Sequence, residues 1–161
     1  MNDERRTMIV GLISDTHGLV RPEVARAFEG VSLILHAGDV GSSAVLENLG
    51  RIAPVEAVAG NVDDPFDPAL ARERSLTIDG IVIHLSHGHE LGRPTAELVL
   101  ARYHGDVVIF GHTHRAVVDR RAGRMAVNPG AAGPRRFDVQ PTVARLTISA
   151  GRAEVEIISL V

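Results

Sequence analysis

Five short clusters of oxygen and nitrogen donors punctuate this sequence: Asp15-Thr16-His17, Gly38-Asp39, Gly60-Asn61, His87-Gly88-His89 and Gly111-His112-Thr113-His114. Each follows an apolar run that reads as a strand, so the clusters fall at strand-to-loop junctions. Donors gathered this way point to one metal centre assembled by folding, and hence to a hydrolytic metalloenzyme. Side chains two residues apart on an extended segment face the same way, so Asp15 with His17, and His112 with His114, each offer a paired grip. Taken singly, Asp15 reads equally as a turn residue, Asp39 as a helix cap and Asn61 as a left-handed turn residue. Those separate readings leave the clustered imidazoles without a role.

The elements that must position these donors follow from hydrophobic patterning. Met8 to Ser14 is a nearly continuous apolar run, as expected of a strand buried on both faces. Pro22 suits the first turn of a helix ending at Gly30. Ser32 to Ala37 and Pro54 to Ala59 read as strands, with a helix from Ser42 or Ser43 to about Gly50 between them. This β-α-β-α-β order implies parallel strands with right-handed crossovers. In such sheets ligands bind outside the carboxyl ends of the strands, where Asp15, Asp39 and Asn61 stand.

Residues 62–72 read as loop, with Pro65 and Pro68 as punctuation. Strands are expected over 73–78 and 81–86 around Asp79-Gly80, a two-residue hairpin signal. A helix follows from Pro94 to about His104 and a strand over 106–110. The rest reads as β: 116–121 and 124–127 around Ala122-Gly123, then 142–149 and 152–160 around Ala150-Gly151. The expected architecture is α/β, with two packed mixed β-sheets, a β-sandwich, flanked by helices.

The 161 residues suit one domain over 8–161 behind a flexible extension at 1–7. Aromatic residues make up only 3% of the chain, which argues against a base-stacking platform for single-stranded nucleic acid. The formal charge of -3 and the lack of a basic run remove any strong nucleic-acid signal. With no Cys, a metal must be held by N and O atoms. The apolar run after Met8 is too short for a membrane span, so a cytoplasmic protein without membrane partners is expected. A homo-oligomer is neither demanded nor excluded.

The order Asp-x-His, Gly-Asp, Gly-Asn, His-Gly-His, Gly-His-Thr-His, followed by Asn128-Pro129-Gly130, resembles the calcineurin-like metallophosphoesterases, in particular their small prokaryotic phosphodiesterase branch. The resemblance runs from about Met8 to the final strand. It implies a four-layer αββα fold and a hydrolase acting on a small-molecule phosphodiester. It also implies that Asp15, His17 and His114 hold one metal, that Asn61, His87 and His112 hold another, and that Asp39 bridges them. Two ions so placed can share a hydroxide that attacks the phosphoryl group. The mixed donor set suits Mn, Fe, Zn, Co or Ni, and the branch favours manganese.

One departure concerns the leaving group. Many relatives carry His directly after the motif Asn, where this chain has Val62, which cannot donate a proton. His89 is the candidate to act in its place, as proton donor or substrate contact, while Asp63 is placed to orient a ligand loop or contact water. With Asp39 these are the candidate catalytic residues. Arg93, Arg115, Arg135 and Arg136 flank the ligand loops as candidate phosphate contacts. His36 reads as a packing or supporting residue, and His84 and His104 as structural. Two alternatives stand beside the phosphodiesterase: a phosphomonoesterase on the same site, and a non-catalytic metal-binding or protein-interaction module of the same fold.

Overall fold

Alternation along the central strands decides the layering. In a computed structural model, which describes residues 7–136 and 138–161, β1 (Met8–Ile13) turns Val10 and Leu12 toward the core between two sheets. Ile13 points the other way, toward helices. The same division separates Leu35 from Ile34 on β2 (Leu33–His36), and Val107 and Ile109 from Val108 on β7 (Val107–Ile109). A strand with apolar side chains on both faces is stable only between two covered layers.

One sheet has six strands in the order β11-β10-β1-β2-β3-β4, and the other has five in the order β5-β6-β7-β9-β8. In the first, β1, β2 and β3 (Val55–Val58) run parallel, and β4 (Leu70–Ala71) extends the parallel set. In the second, β6 (Ile81–Ser86), β7 and β9 (Arg124–Asn128) are parallel, with β5 (Glu73–Ile78) and β8 (Val117–Arg121) antiparallel at the edges. Helices α1 (Glu23–Ala27) and α2 (Ser43–Gly50) cover the outer face of the first sheet through Val24, Val45 and Leu49. Helix α3 (Ala96–Arg102) covers the second through Val99 and Leu100. The result is the expected α/β sandwich flanked by helices.

Leu12, Leu35, Ile83, Leu85, Ile109 and Leu146 are fully buried in the intersheet core. Each side chain of this size contributes roughly 1.5–3 kcal/mol by leaving water. The three expected two-residue turns all form with positive φ at both positions: Asp79-Gly80 (48° and 78°), Ala122-Gly123 (51° and 79°) and Ala150-Gly151 (51° and 72°). That backbone matches the twist of the strands it joins.

The structure departs from the sequence reading in three places. The hairpin of β10 (Thr142–Ser149) and β11 (Arg152–Ser159) adds antiparallel to β1, in the sheet begun by the N-terminal strands. Strand β9 pairs parallel with β7 as well as antiparallel with β8, which the reading of the C-terminal half did not specify. Part of the expected 62–72 loop forms β4, and His89–Leu91 makes one 3₁₀ turn. Of the extension expected at 1–7, residues 1–6 lie outside the described residues.

Candidate metal centre

The carboxyl ends of β1, β2, β3, β6 and β7 meet at one end of the sandwich, tied together by backbone hydrogen bonds. Asp15 N–H donates to Gly38 O (2.9 Å), His17 N–H to Asp39 O (3.0 Å), and Gly111 N–H to His87 O (3.1 Å). These ties require an unusual backbone. Asp15, His17, Asp39, His112 and His114 all lie in the left-handed region, with φ of 53°, 46°, 54°, 72° and 64°. Each such residue other than glycine costs roughly 1–3 kcal/mol, and strain of this kind concentrates at functional sites.

Two adjacent triads result. In one, atoms of Asp15, His17 and His114 lie within 4.8 Å of one another; in the other, atoms of Asp39, His87 and His112 do the same. His114 Nε2 is 3.3 Å from Asp15 Oδ1, and His17 Nε2 is 3.9 Å from it. Asn61 joins the second triad, its Oδ1 lying 3.1 Å from His87 Nε2 and 3.2 Å from His112 Nδ1. Asp39 Oδ2 sits between the triads, 3.7 Å from His17 Nε2 and 3.3 Å from His87 Nε2. All seven residues expected to bind metal therefore converge.

The buried floor consists of Asp15, Asp39 and His87, each at most 3% exposed, while His17, Asn61, His112 and His114 form a more open rim. Buried charge needs partners. Burial would push the Asp15 carboxyl up, but His114, His87 and the Ser14 hydroxyl, 2.6 Å from Oδ2, hold it below its usual value. Burial also opposes ionisation of Asp39, yet the His87 hydrogen bond and charge, the Val62 N–H and His17 bring it to about 2. Burial disfavours charge on His87 as well, but Asp39 and Asp15 raise its pKa above the ordinary value.

The donors fit metal ions on three observations. Asp15 Oδ1 and His17 Nε2 are buried without any hydrogen-bond partner, which is costly unless something else binds them. Ligands at about 2.1 Å from one ion stand about 3 Å apart, close to the 3.1, 3.2 and 3.3 Å among Asn61, His87 and His112. Finally, His87 Nδ1 donates to Ala37 O at 2.8 Å, turning the Nε2 lone pair inward when the ring is neutral.

Close packing of the loops depends on glycine. A Cβ at Gly60 would lie 2.0 Å from Asp39 Oδ1, and one at Gly111 would lie 2.2 Å from Ser14 Oγ. Asn128 fastens the last ligand loop: its Nδ2 donates to Gly111 O (3.1 Å) and Thr113 Oγ1 (3.0 Å). In the sequence Asn128-Pro129-Gly130 ends the motif order, without a sign of this role.

Asp63, one of the catalytic candidates, faces the backbone of the ligand loops. Its carboxylate accepts from the backbone N–H groups of Val40 (3.1 Å), Gly41 (3.1 Å) and Gly60 (2.8 Å). Both oxygens are committed to clasping the Asp39 loop to the Asn61 loop. His89 remains near the centre, its ring centroid 5.3 Å from that of His87, with Nδ1 buried and unpartnered. Burial, then the His87 charge, lowers its pKa. Val62 is 57% exposed on the Asn61 loop.

His36, expected as a supporting residue, is fully buried beneath the first two ligand loops and hydrogen-bonded through both ring nitrogens. His84 stacks on Tyr103 with ring centroids 4.2 Å apart, on the α3 side of the second sheet.

A family model described as a calcineurin-like phosphoesterase superfamily domain matches residues 8–151. A probable metallophosphoesterase of Methanothermobacter thermautotrophicus is 38% identical over 162 residues, covering 94% of this chain and 92% of that one. A phosphodiesterase of Methanocaldococcus jannaschii is 28% identical over 141 residues, covering 76% and 83%. Among solved structures, vacuolar protein sorting 29 of Cryptosporidium parvum superposes with a TM-score of 0.78 at 21% identity, covering 94% of this chain and 97% of that one.

Proposed function

The chain belongs to the calcineurin-like phosphoesterase superfamily, and on that premise we propose that it is a dinuclear metal-dependent phosphodiesterase formed by one domain over 8–161. The observation that carries the proposal is the position of Asp39 Oδ2, 3.7 Å from His17 Nε2 and 3.3 Å from His87 Nε2, between two donor triads. Asp15, His17 and His114 would hold one ion; Asn61, His87 and His112 would hold the other; Asp39 would bridge. The mixed donor set suits Mn, Fe, Zn, Co or Ni, and the resemblance to the small prokaryotic phosphodiesterases favours manganese. When bound, such ions supply positive charge for phosphoryl oxygens and make water acidic enough to serve as nucleophile near neutral pH.

The chain's own residues do the rest. Asp39, with its pKa held at about 2, remains a carboxylate at any working pH. The Ala37 carbonyl orients His87, and Ser14 fixes Asp15. His89, near the centre with a free ring nitrogen, would handle the leaving-group proton that Val62 cannot supply. Relatives named phosphodiesterase support a diester over a monoester.

Metal analysis tests this reading beside turnover of a diester and a monoester of 4-nitrophenol with Mn added. About two ions per chain and faster diester hydrolysis are expected, with Asp39→Ala losing both ions and nearly all activity. An Asp39→Ala protein that keeps two ions and full turnover sinks the assignment. Inactivity on every ester with every metal moves the chain to the binding-module reading.

A further inference from the structure

Beyond the rim formed by His112 and His114, a cavity of about 510 Å³ opens onto Arg93, Arg115 and Arg136, with Thr113 and Val139 completing its wall. The three arginines come from separate segments: Arg93 follows the 3₁₀ turn, Arg115 follows the last metal-ligand candidate, and Arg136 precedes β10. None makes a side-chain hydrogen bond or ion pair among the described residues. Arg72 grips Glu90 at 2.6 and 2.7 Å, Arg121 pairs with Asp119 and Arg124 donates to three backbone carbonyls, whereas Arg26 and Arg51, also unpaired among the described residues, do not line this cavity.

Three unpaired guanidinium groups around one cavity, in a chain whose formal charge is -3, make a local anion trap rather than a general basic surface. Guanidinium offers planar, paired N–H donors that match phosphate oxygens and keeps its charge at every working pH. The scissile phosphate is accounted for by the adjacent donor triads. We propose that the Arg93, Arg115 and Arg136 cavity receives a second phosphate group of the substrate, so that this hydrolase prefers a phosphodiester carrying a further phosphate over one without it.

The proposal rests on the phosphodiesterase reading for its substrate, but its binding half can be read without turnover. With Mn-loaded protein, kcat/KM is compared for thymidine 5′-(4-nitrophenyl phosphate) with and without a 3′-phosphate. The bisphosphate is expected to be favoured about tenfold or more, the effect of one charge-assisted hydrogen-bonded contact. Arg93→Ala, Arg115→Ala and Arg136→Ala should each reduce that ratio, and Arg51→Ala, at the end of α2, should preserve it.

Calorimetric titration of pyrophosphate into metal-stripped protein supplies the second readout. Binding that weakens about tenfold in Arg115→Ala supports the cavity even if no ester is turned over, an outcome that would defeat only the hydrolase reading. Equal kcat/KM for the two thymidine esters, or pyrophosphate binding indifferent to all three cavity substitutions, overturns the proposal.

Discussion

His36 Nε2 lies 2.9 Å from Thr16 Oγ1, and the bond to the opposite ring nitrogen decides which of the two donates. The Gly38 N–H donates to Nδ1 at 3.1 Å, so the proton sits on Nε2 and is donated to Thr16, whose hydroxyl donates on to Val40 O at 2.8 Å. A neutral, fully buried imidazole thus links the Asp15 loop to the Asp39 loop.

Acid should break that link. Burial drives the His36 pKa down to about 4, below its ordinary 6.5. Between those values the unfolded chain binds a proton that the folded one refuses, so stability falls as pH drops through the window and is fully present above it. The shift corresponds to about 3 kcal/mol across the window. His87 titrates with the opposite sign, so the contribution of His36 is read by difference. Urea midpoints of wild type and His36→Gln, whose amide can keep the Thr16 contact, should converge by most of that amount between pH 7 and pH 4.5. Parallel pH profiles would show that His36 does not control this acid sensitivity.

Gly60 should be irreplaceable for a different reason. Its backbone needs no left-handed φ, yet a Cβ there would meet Asp39 Oδ1 at 2.0 Å and Asp39 N at 2.3 Å. Neither the carboxylate nor the chain beside it can retreat without opening both triads. Gly60→Ala should therefore lose metal and activity together, by about a hundredfold in kcat/KM, the scale expected when reacting groups are misplaced by an ångström. Gly50, at the end of α2 with open space where a Cβ would go, is the contrast. Gly50→Ala should raise the unfolding free energy by about 0.5–1 kcal/mol. Metal content by mass spectrometry and thermal melts check both.

The donor clusters were legible in the sequence because each directly follows an apolar strand run, but Asp15 with His17 and His112 with His114 pair through left-handed backbone rather than the extended segment expected. What held them was not legible. The left-handed backbone at Asp15, His17, Asp39, His112 and His114 carries no glycine signature, since these residues are kept there by neighbouring loops. The β10–β11 hairpin was visible as a hairpin, but its placement beside β1 depends on Val143, Leu146 and Ile148 finding long-range partners. Which groups Asp63 holds was not legible, because its partners are backbone N–H groups that only the folded loops bring together.

That clasp yields its own prediction. Asp63→Ala would leave the N–H groups of Val40, Gly41 and Gly60 without their acceptor, at a cost of about 1–3 kcal/mol where water does not replace it. A lower melting temperature and weaker metal retention should accompany a fall in kcat, with the pH profile of kcat keeping its shape. Loss of one limb of that profile would instead give Asp63 a direct catalytic role.

The leaving-group proton is best tested at His89. A positioned general acid contributes about 10²–10⁴-fold, and its value grows as the leaving group becomes more basic. The His89 ring lies within 5.3 Å of that of His87 and within 6.3 Å of that of His112, close enough to face a bound ester but outside both donor triads. His89→Ala should therefore retain wild-type metal content. It should lose little rate on 4-nitrophenyl diesters, whose leaving group needs no proton, and about a hundredfold or more on unsubstituted phenyl or alkyl diesters. The resulting steeper dependence of log kcat on leaving-group pKa is the measurement. Equal losses across the series would make His89 a substrate contact instead, and loss of one metal equivalent would make it a ligand in place of His87.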